Sequence, residues 1–506
     1  MSTEENKTRK YQPLQRYTPP CPGEFPILAI TASNERDMGR TSLETLQLLK
    51  KADFSIVKVS FRDDEYPGKD KSEEELIEDT LNDAQKVGIR ILVKPGGSSY
   101  FRGKNENVFL EYIPRWASII KRFYNYSSLA GWFFDDEPNE VWEKIRDSNN
   151  NIIGEERTST TLDVIMNRLG EAKEQLLPLD PWQHVFCVNL PTYRSFLDPE
   201  NGETENNAFA NGLKWFKGYR KYLSLFINDF GPAMLSFSSY GFKSSLSEKQ
   251  HRIGYFEDLE LFRRLSYQLH RPLWTYLHCF YRWKVGGFIQ TASNGKPINY
   301  GKAVLYRYRS EAFCALAFGS QAICCWEITY HGNELYDNPN THEKEKFYSP
   351  IEKNGEPSIL LSYLQEVIEQ IRRVEYVFQN STVRECRFTV SSNASRNFVS
   401  GKAVCPFGPL KSFTHISGQQ GYLISLIENE NRTYMVFVNL NMTDEETNPS
   451  TSSDNTPEKE TIRLTFSHNM KRLAVRNGEA VISVKKDTNY TLTLGCAEMA
   501  IFEVNG

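Results

Sequence analysis

Nowhere does the chain hold an apolar run of membrane-spanning length, which excludes a helical span and makes a soluble protein the expectation. Basic charge is not in excess either. Against 64 Asp and Glu stand 60 Lys and Arg, a formal net charge of -4 that leaves no electrostatic footprint for nucleic acid or an anionic membrane. The start, Met1-Ser2-Thr3-Glu4-Glu5-Asn6-Lys7, lacks the apolar region of a signal peptide. A cytoplasmic location is expected, or a periplasmic or extracellular one if a leader has been removed. No CxxC spacing occurs, and nine cysteines cannot all pair within one chain. Cys187, Cys279, Cys314, Cys324 and Cys325 fall in predicted strands or a predicted helix and read as buried free thiols. Histidine is scarce where a metal would sit: only His278 and His331 stand near strand ends, and each reads as a hydrogen-bonding wall residue. Neither metal nor cofactor is expected.

What is abundant is aromatic: 26 Tyr, 31 Phe and 8 Trp make up 13% of the residues, a surplus that suits stacking on flat ligands or sugar rings. At 506 residues the chain is too long for one ordinary core. After a polar, proline-punctuated arm over residues 1–24, short apolar strands alternate with longer helical patterns. The strands read as Ile27 to Ala32, Phe54 to Phe61, Ile89 to Val93, Leu129 to Asp135, His184 to Asn189, Ala233 to Ser238, Pro272 to His278 and Ala322 to Trp326. Eight strand–helix units imply parallel pairing and a closed (β/α)₈ TIM barrel over residues 25–379. The alternative, an open doubly wound sheet, would want a Gly-rich phosphate turn after the first strand, and there is none. Beyond residue 380 the texture turns to short alternating strands. The fold class is therefore α/β: a TIM barrel followed by a C-terminal all-β sandwich over residues 380–506.

One stretch organises the rest. Leu129-Ala130-Gly131-Trp132-Phe133-Phe134 is an apolar run of strand length that ends in Asp135-Asp136-Glu137-Pro138-Asn139. Carboxylates are costly to bury, so three at a strand end should be solvated, paired or working. The plainer alternative is an acidic loop paired with arginines. In a (β/α)₈ barrel the working residues sit past the C-terminal ends of the strands. Those ends offer Asn34, Tyr100, Asp135, Asn139, Asn189, Tyr193, Tyr240, Tyr276, His278, Arg282, Trp283 and Trp326 as substrate-binding residues, with Asp136, Glu137 and Glu327 as the catalytic set. Carboxylates ringed by Trp and Tyr suit carbohydrate, whose C–H faces pack on rings while its hydroxyls bond to acids and amides. Each aromatic has a packing alternative, and Arg282 could as well pair with Asp136 or Glu327 as bind an acidic sugar.

Gly131 to Asn139, read G-W-F-F-D-D-E-P-N after the fourth strand, resembles the acid/base segment of clan A (β/α)₈ glycoside hydrolases, which carry an Asn-Glu-Pro or similar triplet there. By that resemblance Glu137 is the general acid/base and the substrate a carbohydrate. Two departures stand out. The seventh strand ends Leu273-Trp274-Thr275-Tyr276-Leu277-His278, without the clan's nucleophilic Glu, and Asp136 replaces Asn before the acid. An Asp-Glu pair is similar to that of barrel hexosaminidases, in which the substrate's acetamido group is the nucleophile. Three schemes follow: Glu137 with Glu327 across the barrel, in the manner of an inverting enzyme; Asp136 and Glu137 on a 2-acetamido sugar, helped by Tyr240 or Tyr276; or Asp135 or Glu35 as second carboxylate. Strand alternation puts Asp135 on the face of Glu137. A non-catalytic glycan-binding protein on the same scaffold is the rival from another class. Sugar identity and oligomeric state are not legible.

Overall fold

A computed structural model describes residues 13–31, 41–61, 71–96, 106–138, 142–146, 152–157, 162–192, 214–242, 253–285, 289–291, 297–299, 301–329, 336–337, 344–352, 354–388, 413–418, 421–440 and 460–505. Eight strands form one parallel sheet: β1 (Ile27–Ile30), β2 (Ile56–Ser60), β3 (Arg90–Lys94), β4 (Leu129–Asp136), β5 (Val185–Asn189), β6 (Leu235–Phe237), β7 (Leu273–His278) and β8 (Ser320–Trp326). Their order is β5-β4-β3-β2-β1-β8-β7-β6. The two ends of that order meet at Leu190, which bridges to Phe237 in parallel. Its N–H donates to the Ser236 carbonyl at 2.8 Å, and its carbonyl accepts from Ser238 N–H at 3.0 Å. The sheet is thereby a closed barrel with no free edge.

Closure explains the sequence pattern, since each strand is covered on both faces. Leu28, Ile30, Ile56, Leu92, Ala130, Phe133, Val185, Cys187, Trp274, Tyr276 and Cys324 fill the interior. Their neighbours Ile27, Ala29, Val57, Ile91, Val93 and Trp132 pack outward under the helices. Strands covered on both sides read as continuous apolar runs, because either face gains about 1.5–3 kcal/mol from each large side chain it buries.

Helices α1 (Leu43–Lys51), α2 (Glu73–Val87), α3 (Glu106–Phe123), α4 (Leu162–Leu176), α5 (Lys214–Leu225), α6 (Ile253–Leu269), α7 (Gly301–Ala317) and α8 (Ile359–Phe378) follow the strands in turn. Their ends are set locally. Ser42 caps α1, Ser72 and Glu75 form a capping box on α2, and Gly88 closes α2 in the left-handed region at φ 73°. Glu73, in the first turn of α2 and fully buried, accepts from Gly96 N–H and from Arg115, and so ties the loop after β3 to the helix layer.

Past α8 lie, among the described residues, nine more strands: β9 (Thr382–Phe388), β10 (Phe413–Gly418), β11 (Tyr422–Asn429), β12 (Arg432–Asn439), β13 (Glu460–Phe466), β14 (Asn469–Arg472), β15 (Ile482–Val484), β16 (Asn489–Leu494) and β17 (Met499–Asn505). They form a six-stranded sheet, β9-β11-β12-β17-β14-β15, and a three-stranded one, β10-β13-β16, all antiparallel. Tyr422, Phe437, Leu464, Phe466, Leu492 and Phe502 close the core between them. β10 and β14 are legible only here: Asn-Met-Lys-Arg offers one apolar residue, Met470, and local alternation has nothing to register. Asn429 fastens this sandwich to α8, its Nδ2 donating to the carbonyls of Tyr376, Val377 and Gln379 at that helix's end. Among the described residues eight cysteines are buried.

At Gly131 the backbones of β4 and β5 approach closely. A Cβ there would lie 2.7 Å from both the Val185 carbonyl oxygen and its Cγ2. Gly131→Ala is expected to cost about 1–3 kcal/mol of stability, an overpacking penalty; urea denaturation of the two proteins checks it, and an unchanged midpoint would contradict this close approach.

Candidate active site

The acidic end of β4 is shaped by a β-bulge. Phe133 pairs with Cys187, but the next pairings are Asp135 with Val188 and Asp136 with Asn189, so Phe134 is an extra residue. Phe133 and Cys187 point into the barrel. After the bulge it is Asp136, level with Asn189, that takes the interior face, and Asp135 turns to the outer side with Val188. Simple alternation would have sent Asp135 inward with Glu137. Instead Asp135 is wholly buried, and its Oδ1 accepts from the Asp136 N–H at 2.7 Å. Glu137 follows in the left-handed region at φ 50°, held by its N–H bond to the Asn189 carbonyl at 2.7 Å.

Asn189 is the hinge of the polar floor. Its Nδ2 donates to Asp136 Oδ1 at 2.9 Å and to Ser238 Oγ at 2.5 Å, while Ser236 Oγ donates to its Oδ1 at 3.1 Å. The ends of β4, β5 and β6 are thereby joined by side chains next to the place where the barrel closes. On the other side of Asp136 stand two lysines, Lys58 from β2 and Lys94 from β3. Each lies two residues after an interior side chain, and their ammonium groups sit 4.8 and 5.3 Å from the Phe133 ring centroid.

An aromatic wall completes the described part of the bowl. Tyr240, just past β6, stacks on Trp326 at the end of β8, centroids 5.2 Å apart and planes 20° from parallel. His278, ending β7, meets both edge-on, at 5.2 Å from Tyr240 and 5.8 Å from Trp326. The loops that carry these rings share one anchor. Glu311, buried on α7, accepts from the N–H groups of His278 at 2.9 Å and Phe242 at 3.1 Å. The Trp326–Glu327 peptide is cis, and Glu327 follows the wall.

Burial and neighbours set the charges. Burial raises the Glu327 carboxyl to about 7; Lys58 opposes the shift and Asp136 adds to it. Lys58 is lowered to about 8 by burial and then by Lys94, against the pull of Asp136 and Glu327. The Tyr240 phenol is pushed far up by burial, then by Glu137 and Asp136, and Tyr276 by burial, Cys324 and Asp136. His278, buried among rings, drops to about 3 and is a neutral wall residue at physiological pH. Asp136 is thus felt by Glu327, Lys58 and Tyr276, and Glu137 by Tyr240.

No family model matches the chain, and no curated protein does. Solved structures do. A family 42 beta-galactosidase from G. stearothermophilus superposes with a TM-score of 0.55 at 9% identity over 97% of this chain and 100% of that one. A family 39 glycoside hydrolase from Bacteroides cellulosilyticus gives 0.48 at 11% identity over 95% and 81%, and an endo-beta-1,4-mannanase from Thermotoga petrophila 0.41 at 11% over 94% and 98%. At 9% identity, what the first likeness establishes is the fold.

Of the residues singled out from sequence, Asp136, Glu137, Asn189, Tyr240, Tyr276, His278, Trp326 and Glu327 gather at this one end of the barrel. Arg282 pairs with Glu345 at 2.8 Å on the neighbouring hairpin, not with Asp136 or Glu327, and Trp283 packs on the outer core. Asn34, Tyr100, Asn139 and Tyr193, with Glu35 and His331, lie outside the described residues. Lys58, Ser236, Ser238 and Glu311 escaped sequence reasoning. Lys58 alone left a signal, a lone cation inside the apolar run Ile56-Val57-Lys58-Val59.

Because the folded carboxyl of Glu327 titrates near 7 and an unfolded one near its ordinary 4.5, the folded state holds the extra proton between those values. Its contribution to stability therefore falls as pH rises from 4.5 to about 7. Glu327→Gln should remove that slope, gaining on the native protein at pH 8 relative to pH 4. Urea titrations at both pH values test this, and a constant difference between the two proteins would refute it.

Proposed function

We propose that this protein is a glycoside hydrolase whose reaction runs between the carboxylates on β4, Glu137 and Asp136, and Glu327 after β8. In the strand order β4 and β8 stand four steps apart in either direction, across the bowl from each other. The observation that supports the reading most is the raised carboxyl of Glu327, at about 7, opposite a strand end bearing Asp136 and Glu137. A carboxyl raised toward neutrality is what the acid role requires. The stacked Tyr240–Trp326 pair offers a face for a sugar ring, and Lys58 a donor to its hydroxyls.

In sequence the proton falls to Glu137; the electrostatics favour the exchange of roles. Glu327, protonated up to about 7, gives its proton to the glycosidic oxygen as that bond breaks. Glu137 takes a proton from the water that attacks the anomeric carbon from the opposite face. Carboxylates across a barrel suit this single displacement, which in inverting enzymes spans roughly 6.5–9.5 Å. Residues 25–379 form the catalytic unit in this reading, and residues 380–506 brace it. A second scheme has one supporting observation. Asp136 is fixed by Asn189 and faces Tyr276 and Tyr240, a setting that could orient a 2-acetamido group as nucleophile.

Aryl hexosides and aryl N-acetylhexosaminides decide among these. Glu137→Gln and Glu327→Gln are each expected to lower kcat/KM by about 10²–10⁴-fold on the substrate turned over. With Glu327 as donor, kcat/KM falls as pH rises through about 7, whereas a basic role would make it rise there. Turnover confined to N-acetylhexosaminides, insensitive to Glu327→Gln, selects the acetamido route. Absence of turnover with binding of glycans leaves a non-catalytic lectin-like protein.

A further inference from the structure

At the end of the barrel away from the carboxylates, before the starts of β7 and β8, there is a cavity of about 270 Å³. Its wall comes from the last turns of α6, the turns entering β7 and β8, and the chain leading into β9. Tyr17 of the N-terminal arm lines it too. Arg263, His270 and Arg271 supply cationic or protonatable groups, and none of the described lining side chains is acidic.

The two arginines differ. Arg263 is matched: Nε and Nη2 donate to Glu260 at 2.7 and 2.8 Å, and Nη1 to the Val383 carbonyl at 2.9 Å. For Arg271 the acceptors are carbonyl oxygens, of Pro232 at 3.3 Å and His270 at 3.1 Å, and no described carboxylate pairs with it. A buried amine lies behind it, held likewise by carbonyls. Lys173, 3% exposed, donates Nζ to the carbonyls of Phe230 and Gly231. Burial, with Arg271 next, lowers it to about 7. Arg271, whose described acceptors are all neutral oxygens, leaves a positive potential that an anion would offset. A guanidinium with an open edge is the group that grips a phosphate-type oxyanion through paired N–H bonds. Ser266, Gln321 and Thr382 add polar groups around it. The volume lies just under the ~300 Å³ at which pockets for drug-sized ligands begin, so the occupant is small.

We propose that this cavity is a second, non-catalytic site for a small phosphorylated ligand of monosaccharide size, its oxyanion seated on Arg271. The site stands independently of the glycosidase reading, since no residue is shared with the bowl. β7 and β8 start at this cavity and end at His278 and at Trp326 beside Glu327, so its occupant touches the near ends of the strands that carry the far wall.

Calorimetric titration of the intact chain with inorganic phosphate and with glucose 6-phosphate, at low and high salt, tests this. Saturable one-to-one binding is expected, tighter for the sugar phosphate and weaker in salt. Arg271→Gln should weaken it by about tenfold or more, and Arg271→Lys, which keeps the charge and loses the fork, by less. Should the Gln variant not fold, the Lys variant still reads the fork. A saturating glycoside should not displace the phosphate. No saturable binding, displacement by a glycoside, or an affinity indifferent to both Arg271 variants would overturn the proposal.

Discussion

Everything at the acidic end of this molecule depends on the barrel being shut. One residue past β5, Leu190, exchanges two backbone bonds with β6 and turns an eight-stranded ribbon into a ring. Without that closure the ends of β4 and β8 would lie apart along an open sheet. With it, they face each other over a floor of Lys58, Asn189 and Phe133. The Asn189 side chain reinforces the same seam by joining Asp136 to Ser236 and Ser238. Closure and site geometry are thus neighbours in space, and a loss at the seam would be felt as misplaced carboxylates.

The bulge on β4 works within that frame. An extra residue, Phe134, is spent outward on the helix layer, where its ring meets Trp116 at 5.0 Å and Phe186 at 5.5 Å. Phe134 packs there at the cost of one step of register, and that step exchanges the acid that looks inward. Bulges do this because two residues on one strand oppose one on the other, so side-chain parity flips beyond them. Asp136 then meets Asn189 and feels the buried Lys58, while Asp135 accepts from the Asp136 N–H.

Charge in the bowl is balanced by burial rather than by exposed pairs. Lys58, 7% exposed, lies on β2, two strand steps from β4 and two from β8, and it feels the carboxylates of both. That desolvated ammonium keeps the Glu327 carboxyl from rising as far as burial alone would drive it. Burial outweighs the ammonium and leaves the Glu327 carboxyl raised to about 7.

Eight both-side-buried strands, the helices between them and the acid cluster on the fourth strand were legible in the chain. Apolar periodicity and strand length are local properties, and burial on two faces writes them plainly. Legible too were the aromatics and carboxylates at strand ends, because a barrel places every such end on one rim. What the tertiary structure alone decided was parity and partnership. The register shift at Phe134 leaves no mark in residue type. The cation at Lys58 gains its meaning from strands two steps away on either side. Arg282 finds Glu345 through an antiparallel pairing of residues 281–284 with residues 345–348, far apart in the chain, that alternation could not foresee. Local sequence determines which segments must be buried; which acid faces which cation is set only when distant strands come into register.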